Sequence, residues 1–132
     1  MSQEKWGDAI RRVFAAFTKR DWAAFSATLD SDVEYKPVEE NVVYRGQEAV
    51  IAYVQRWLEV WETFSAEAEV VEKTWAKDRA FVIIRLRGRG RGSGVEIDMR
   101  LFWVADLRGG RLFRISEYSN REEALEAVGL SE

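Results

Sequence analysis

An α+β fold, with a curved antiparallel sheet packed on three N-terminal helices and a short C-terminal helix, follows from three observations on the sequence. Apolar residues recur at helical spacing in the N-terminal half, four runs after Phe64 alternate as strands do, and turn residues separate those runs. Helices gathered on one side of a curled antiparallel sheet leave a natural cavity at its concave face.

Trp6, Ile10, Val13, Phe14 and Phe17 recur every three or four residues with Arg11 and Arg12 between them, which predicts an amphipathic first helix. Asp21 stands as an N-cap before Trp22, Phe25 and Leu29, so a second, shorter helix follows after almost no linker. That period then breaks. Val33 and Tyr35 alternate with polar neighbours and run into Pro37, the only proline, which predicts a short strand ending there. After an irregular stretch over 37–45, Gly46 opens a third helix with the apolar stripe Val50, Tyr53, Val54, Trp57, Leu58 and Trp61. Strands are predicted over 64–75, 79–91, 94–107 and 111–119, with turns at Lys77-Asp78, Gly92-Ser93 and Gly109-Gly110. Joints this short make neighbouring strands antiparallel. Asn120, with Glu123 three residues later, predicts a capped last helix through Ala124, Leu125 and Val128 that Gly129 ends.

With 132 residues, 47% of them hydrophobic, one domain over 1–132 is expected. The 23 acids outweigh the 20 bases for a net charge of -3, which argues against nucleic acid or an anionic membrane surface as a partner. No cysteine is present, so no disulfide, thiol nucleophile or thiolate metal site is expected, and the composition suits the cytoplasm. No apolar run approaches a membrane span and Met1 to Ile10 lacks a signal-peptide pattern. The absence of histidine is the sharpest restriction. It excludes a Ser-His-Asp triad and a His-rich metal centre, leaving carboxylates, Tyr, Lys or Arg for acid and base work. Neither cofactor nor metal is expected.

The order of elements, the helix start Gly46-Gln47-Glu48-Ala49-Val50, the turn Gly110-Arg111-Leu112 and the ending 121–130 resemble SnoaL-like proteins of the nuclear transport factor 2-like superfamily. The resemblance implies their cone-shaped fold and a small-molecule pocket. It does not fix a reaction, because the fold carries polyketide cyclases, ketosteroid isomerases, epoxide hydrolases and transport factors. Glu117, in Ser116-Glu117-Tyr118, lines up with the catalytic aspartate of limonene-type epoxide hydrolases, which activates water. Their Arg-x-Asp pair becomes Arg85-Leu86-Arg87, Tyr35 matches their water-holding tyrosine, and the companion asparagine falls near Pro37. For ketosteroid isomerases the Asp-Pro base position becomes Lys36-Pro37, while the oxyanion tyrosine and protonated aspartate fall near Val13 and Phe102.

A two-residue Gly109-Gly110 turn pairs Arg108 with Arg111 and, extended without interruption, sets Phe102 opposite Glu117 and Val104 opposite Ile115. A turn at Gly92-Ser93 sets Arg89 opposite Glu96, Arg87 opposite Asp98 and Arg85 opposite Arg100. One face is then mixed, holding Arg85, Arg87, Asp98, Arg100, Phe102, Ile115 and Glu117. The other is greasy, holding Val82, Ile84, Leu86, Met99, Leu101 and Trp103. Either the mixed face lines the pocket and the greasy face meets a second subunit, or the greasy face packs on the helices and the charges are solvated. Under the first reading Glu117 is the acid or base, supported by Arg100 and Arg85, with Tyr35, Tyr53, Trp57, Trp61, Phe102 and Asp98 binding substrate.

The expected function is a cofactor-independent lyase, isomerase or hydrolase, polyketide cyclase-like, acting on a small apolar oxygenated molecule, within a homodimer. The alternative is a non-catalytic ligand-binding or accessory domain on the same fold. Arg85, Arg87, Arg89 and Arg91 alternate with glycines as some nucleic-acid-binding segments do, but Glu96 and Asp98 balance them, so no nucleic-acid partner is expected.

Overall fold

The computed structural model describes residues 3–73 and 79–128. Helices α1 (Gln3–Lys19) and α2 (Trp22–Ala27) lead into β1 (Leu29–Lys36) and a two-residue β2 (Tyr44–Arg45). Helix α3 (Gln47–Glu59) precedes four long strands: β3 (Trp61–Lys73), β4 (Arg79–Gly90), β5 (Glu96–Arg108) and β6 (Arg111–Tyr118). Helix α4 (Arg121–Val128) follows them. The six strands form one curved, unclosed sheet in the order β2-β1-β6-β5-β4-β3. Pairing from β3 through β6 is antiparallel as expected, whereas β1 runs parallel to β6. This is the α+β architecture that the sequence pattern predicts.

The α1 stripe of Trp6, Ile10, Val13 and Phe17 is buried against the sheet. The helix stops in a Schellman arrangement, with Arg20 N–H bonded to Phe17 O and Asp21 N–H to Ala16 O. Arg20 takes the left-handed conformation there, at φ 55°, although it is not glycine. Its guanidinium offsets that strain by donating to Phe17 O at 2.7 Å and Phe64 O at 2.9 Å, tying the helix end to β3. The Asp21 carboxylate then caps α2 through Ala24 N–H, as its position suggested. Asn120 likewise caps α4 by accepting from Glu123 N–H at 3.2 Å.

Several boundaries differ from expectation. Leu29 belongs to β1 rather than α2, and the stretch before Gly46 contains β2, which pairs with β1. Trp61 is not on the α3 stripe. The helix ends at Glu59, and Trp61 opens β3 opposite Gly90, packing on Trp57 and Phe64 at 5.6 and 5.5 Å. Gly88 is what admits these rings, since a Cβ there would lie 3.0 Å from both Trp61 and Phe64. The loop after β4 is wider than a two-residue turn: Gly90 N–H bonds to Val95 O, while Arg91 is drawn away to the carbonyls of Glu59 and Trp61. Its register nevertheless agrees, with Arg89, Arg87 and Arg85 opposite Glu96, Asp98 and Arg100. The predicted Lys77-Asp78 turn, the strand end at Trp75 and the Gly129 stop lie outside the described residues.

The larger core fills the space between α1, α2, α3 and the greasy face, where Val82, Ile84, Leu86 and Leu101 are buried. A smaller core lies on the opposite face, where Ala124 of α4 covers Phe81 and Val104. No helix among the described residues is long and apolar enough to cross a membrane.

Candidate functional site

The concave face and the helices enclose a cavity of about 100 Å³. That is several times the space a single ordered water requires. Its floor is the greasy face, with Ile84, Leu86, Leu101 and Trp103. Its roof comes from α1 and α3, including Phe14, Tyr53 and Trp57. Of the two face assignments that the sequence leaves open, the greasy face is the one under the helices: burial of aliphatic strand residues under apolar helix stripes outweighs the convergence of polar groups.

Glu117 nonetheless lines this cavity, because β6 carries an irregularity that sequence extrapolation passed over. The Gly109-Gly110 turn does pair Arg108 with Arg111, both glycines having the positive φ that a tight hairpin turn requires. Leu107 then faces Leu112, but Asp106 faces Arg114, so Phe113 is an extra residue in the ladder. Beyond it every partner moves by one. Glu117 lies opposite Trp103 rather than Phe102, and Ile115 opposite Ala105 rather than Val104. A one-residue slip exchanges the two faces. Leu112 and Ile115, three apart, can thus both line the cavity, with Glu117 following on the same side. Arg108 and Arg114 hold the bulged Phe113 from outside, their guanidinium carbons 4.0 and 5.0 Å from its ring centre.

The Glu117 carboxylate accepts three hydrogen bonds. The Tyr35 hydroxyl and the Trp103 indole N–H both donate to Oε2, at 2.8 and 2.9 Å, and Val38 N–H donates to Oε1 at 3.2 Å. A carboxylate oxygen accepts two hydrogen bonds, so Oε2 is saturated and Oε1 keeps one acceptor position open. Tyr35 itself is buried at 7% exposure. Burial, reinforced by the Glu117 charge, pushes its hydroxyl well above the usual tyrosine range, so it remains a donor at any ordinary pH.

A second carboxyl shares the cavity. Glu39, on the loop after β1, reaches its wall while being exposed to solvent. Burial first, and then the Glu117 charge, hold it above its ordinary value of 4.5. The folded state therefore keeps that proton more tightly than the unfolded chain, and stability is lost as pH rises through the Glu39 transition. Glu39→Gln is expected to raise the melting temperature slightly at about pH 7 and to leave it unchanged at about pH 4. The gain is well under ~1 kcal/mol because solvent screens the group. Melts of both proteins at the two pH values check this.

Of the residues singled out from sequence, Glu117, Tyr35, Tyr53 and Trp57 meet at the cavity. Arg85, Asp98, Arg100 and Phe102 do not line it. Arg85 grips Asp98 on the outer face with hydrogen bonds of 2.9 and 2.7 Å, and Arg100 grips Glu69 at 2.7 and 3.3 Å. Phe102 stacks on Phe81 beside α4, their ring centres 6.1 Å apart. Trp61 packs behind the wall rather than in it. Sequence reasoning missed Trp103, Glu39 and the Val38 N–H as neighbours of Glu117. The phase break from Leu112 to Ile115 was a usable signal for Trp103, whereas nothing in the pattern marks Glu39.

The sequence matches the SnoaL-like domain over residues 10–115. No curated protein matches it. Among solved structures, Bal32a from a soil-derived mobile gene cassette is 23% identical with a TM-score of 0.78, covering 96% of this chain and 97% of that one. A protein from Jannaschia sp. CCS1, named for a SnoaL-like polyketide cyclase, is 18% identical with a TM-score of 0.76, covering 96% and 92%. RV0760c from Mycobacterium tuberculosis, in complex with estradiol-17β-hemisuccinate, is 17% identical with a TM-score of 0.73, covering 89% and 95%. At these identities the structures establish the fold alone. With the domain match spanning most of its length, the chain belongs to the SnoaL-like domain family.

Proposed function

We propose that the cavity is a small-molecule site in which Glu117 acts as general base, taking a proton from carbon next to a carbonyl of an apolar, oxygenated ligand. The supporting observation is the Glu117 carboxylate on an apolar wall, with Oε2 saturated by Tyr35 and Trp103 and Oε1 left with a free acceptor position. Two fixed donors orient the carboxylate without occupying the oxygen that would receive the proton. This is isomerase- or cyclase-type chemistry and calls for no cofactor. Arg85 and Arg100 have no part in it, since both are engaged with acids across the sheet. The Mycobacterium tuberculosis structure holds estradiol-17β-hemisuccinate in the same fold, and the steroid body of that molecule, apart from its carboxylate, accords with the ligand class. Exchange of the acidic C–H of apolar ketones such as β-tetralone in deuterated water, followed by NMR, tests the reading. The protein should accelerate exchange over buffer.

The rival, a binding domain without chemistry, shares the cavity and predicts ligand affinity with no exchange. Two copies are also proposed to associate through the outer face. Partly exposed Ile83 and Phe102 there support a contact between subunits. Light scattering at micromolar concentration should give twice the 15.3 kDa mass, and a monomer would contradict it.

A further inference from the structure

Among the described residues, the side chains lining the cavity include two carboxyls, Glu39 and Glu117, and no lysine or arginine. A ligand bearing a carboxylate or phosphate would face two acids without a counter-charge from the cavity's lining. The hydrogen-bond inventory leans the same way. The donors beside Glu117, the Tyr35 hydroxyl and the Trp103 indole, are both spent on Oε2, while Oε1 still has room to accept. What the lining lacks among the described residues is a cationic side chain, and positive charge is what its ligand would have to bring.

The remaining wall suits a cation on an apolar body. Tyr35 packs edge-on against Tyr53 at 5.4 Å and against Trp103 at 6.3 Å, and Trp57 lines the same space. Aromatic faces attract an ammonium, most strongly where water is excluded. We propose that the cavity's ligand carries a protonated amine on an apolar body, with the ammonium held by the Glu39 carboxylate and the aromatic wall, in the field of the Glu117 charge. The inference rests on the cavity being a ligand site and is independent of any chemistry at Glu117. Among the described residues the charges facing Glu39 are those of Glu117 and Glu40, so an ammonium beside it would relieve their repulsion.

Benzylamine, benzyl alcohol and benzoate share one apolar body and differ in charge, so calorimetric titration of the three at about pH 7 tests the proposal. Benzylamine is expected to bind about tenfold more tightly than benzyl alcohol, with benzoate weakest. Glu39→Gln and Glu117→Gln should each shrink the amine-over-alcohol ratio. Equal or tighter binding of the alcohol or of benzoate, or a ratio unchanged in both variants, would overturn the amine assignment alone. If none of the three binds at millimolar concentration, the cavity reading itself falls.

Discussion

Glu117→Gln is expected to lower turnover roughly 100-fold or more while the protein remains folded. Glutamine keeps the shape of the side chain, and its amide oxygen can still accept from Tyr35 and Trp103 where Oε2 does now. Its nitrogen replaces Oε1 and meets Val38 N–H, donor against donor, for a stability loss of about 1 kcal/mol. The basic oxygen that would take the proton is gone. Glu117→Leu separates the two roles further: it leaves a buried tyrosine hydroxyl and an indole N–H without their acceptor, and roughly 2 kcal/mol or more of stability should go with them. Melting and turnover measured on the same samples distinguish a catalytic carboxylate from a structural one. A fall in kcat with KM little changed marks an interaction used in the transition state. Unchanged turnover beside lowered melting would leave Glu117 a structural acceptor only.

Insertion of one alanine between Arg114 and Ile115 is expected to destabilise the protein by roughly 3 kcal/mol or more. If β6 kept its turn and its bulge, Ile115 and Glu117 would rotate to the outer face and the inserted alanine would take the place of Ile115 in the cavity wall. If β6 kept Glu117 opposite Trp103, a second extra residue would have to be bulged out of the ladder. Both routes are costly. Deletion of Phe113 is the control, because Leu112 still faces Leu107 and Arg114 still faces Asp106, so turn and cavity register both survive and only the contacts with Arg108 and Arg114 are lost, about 1 kcal/mol. Denaturant midpoints for the two variants check the difference. An insertion as stable as the deletion would show that the register of β6 does not set the site.

The elements were legible in the sequence because each is fixed locally. The Trp6 to Phe17 stripe, the Asp21 and Asn120 caps and the Gly109-Gly110 turn act within a few residues of chain, and all stand where the pattern puts them. The site was legible only in part. Tyr35, Tyr53, Trp57 and Glu117 reach the cavity, but their relation depends on a single inserted residue, and uninterrupted pairing from the turn carries Glu117 to the wrong face. Arg85, Asp98 and Arg100 attracted attention as clustered charge, yet charges on a strand satisfied by neighbours across the sheet are a surface solution. Glu39 and the parallel partnership of β1 with β6 bring distant segments together, and no local period records either contact.

The central claim is that chemistry belongs to the cavity face, with Glu117, and not to the charged outer face. The most direct measurement is C–H exchange of an apolar ketone in deuterated water, compared among wild type, Glu117→Gln and Arg100→Met. The account predicts that Glu117→Gln falls to the buffer rate while Arg100→Met, which loses an exposed ion pair with Glu69, exchanges like the wild type. Exchange retained in Glu117→Gln and abolished in a folded Arg100→Met would contradict it.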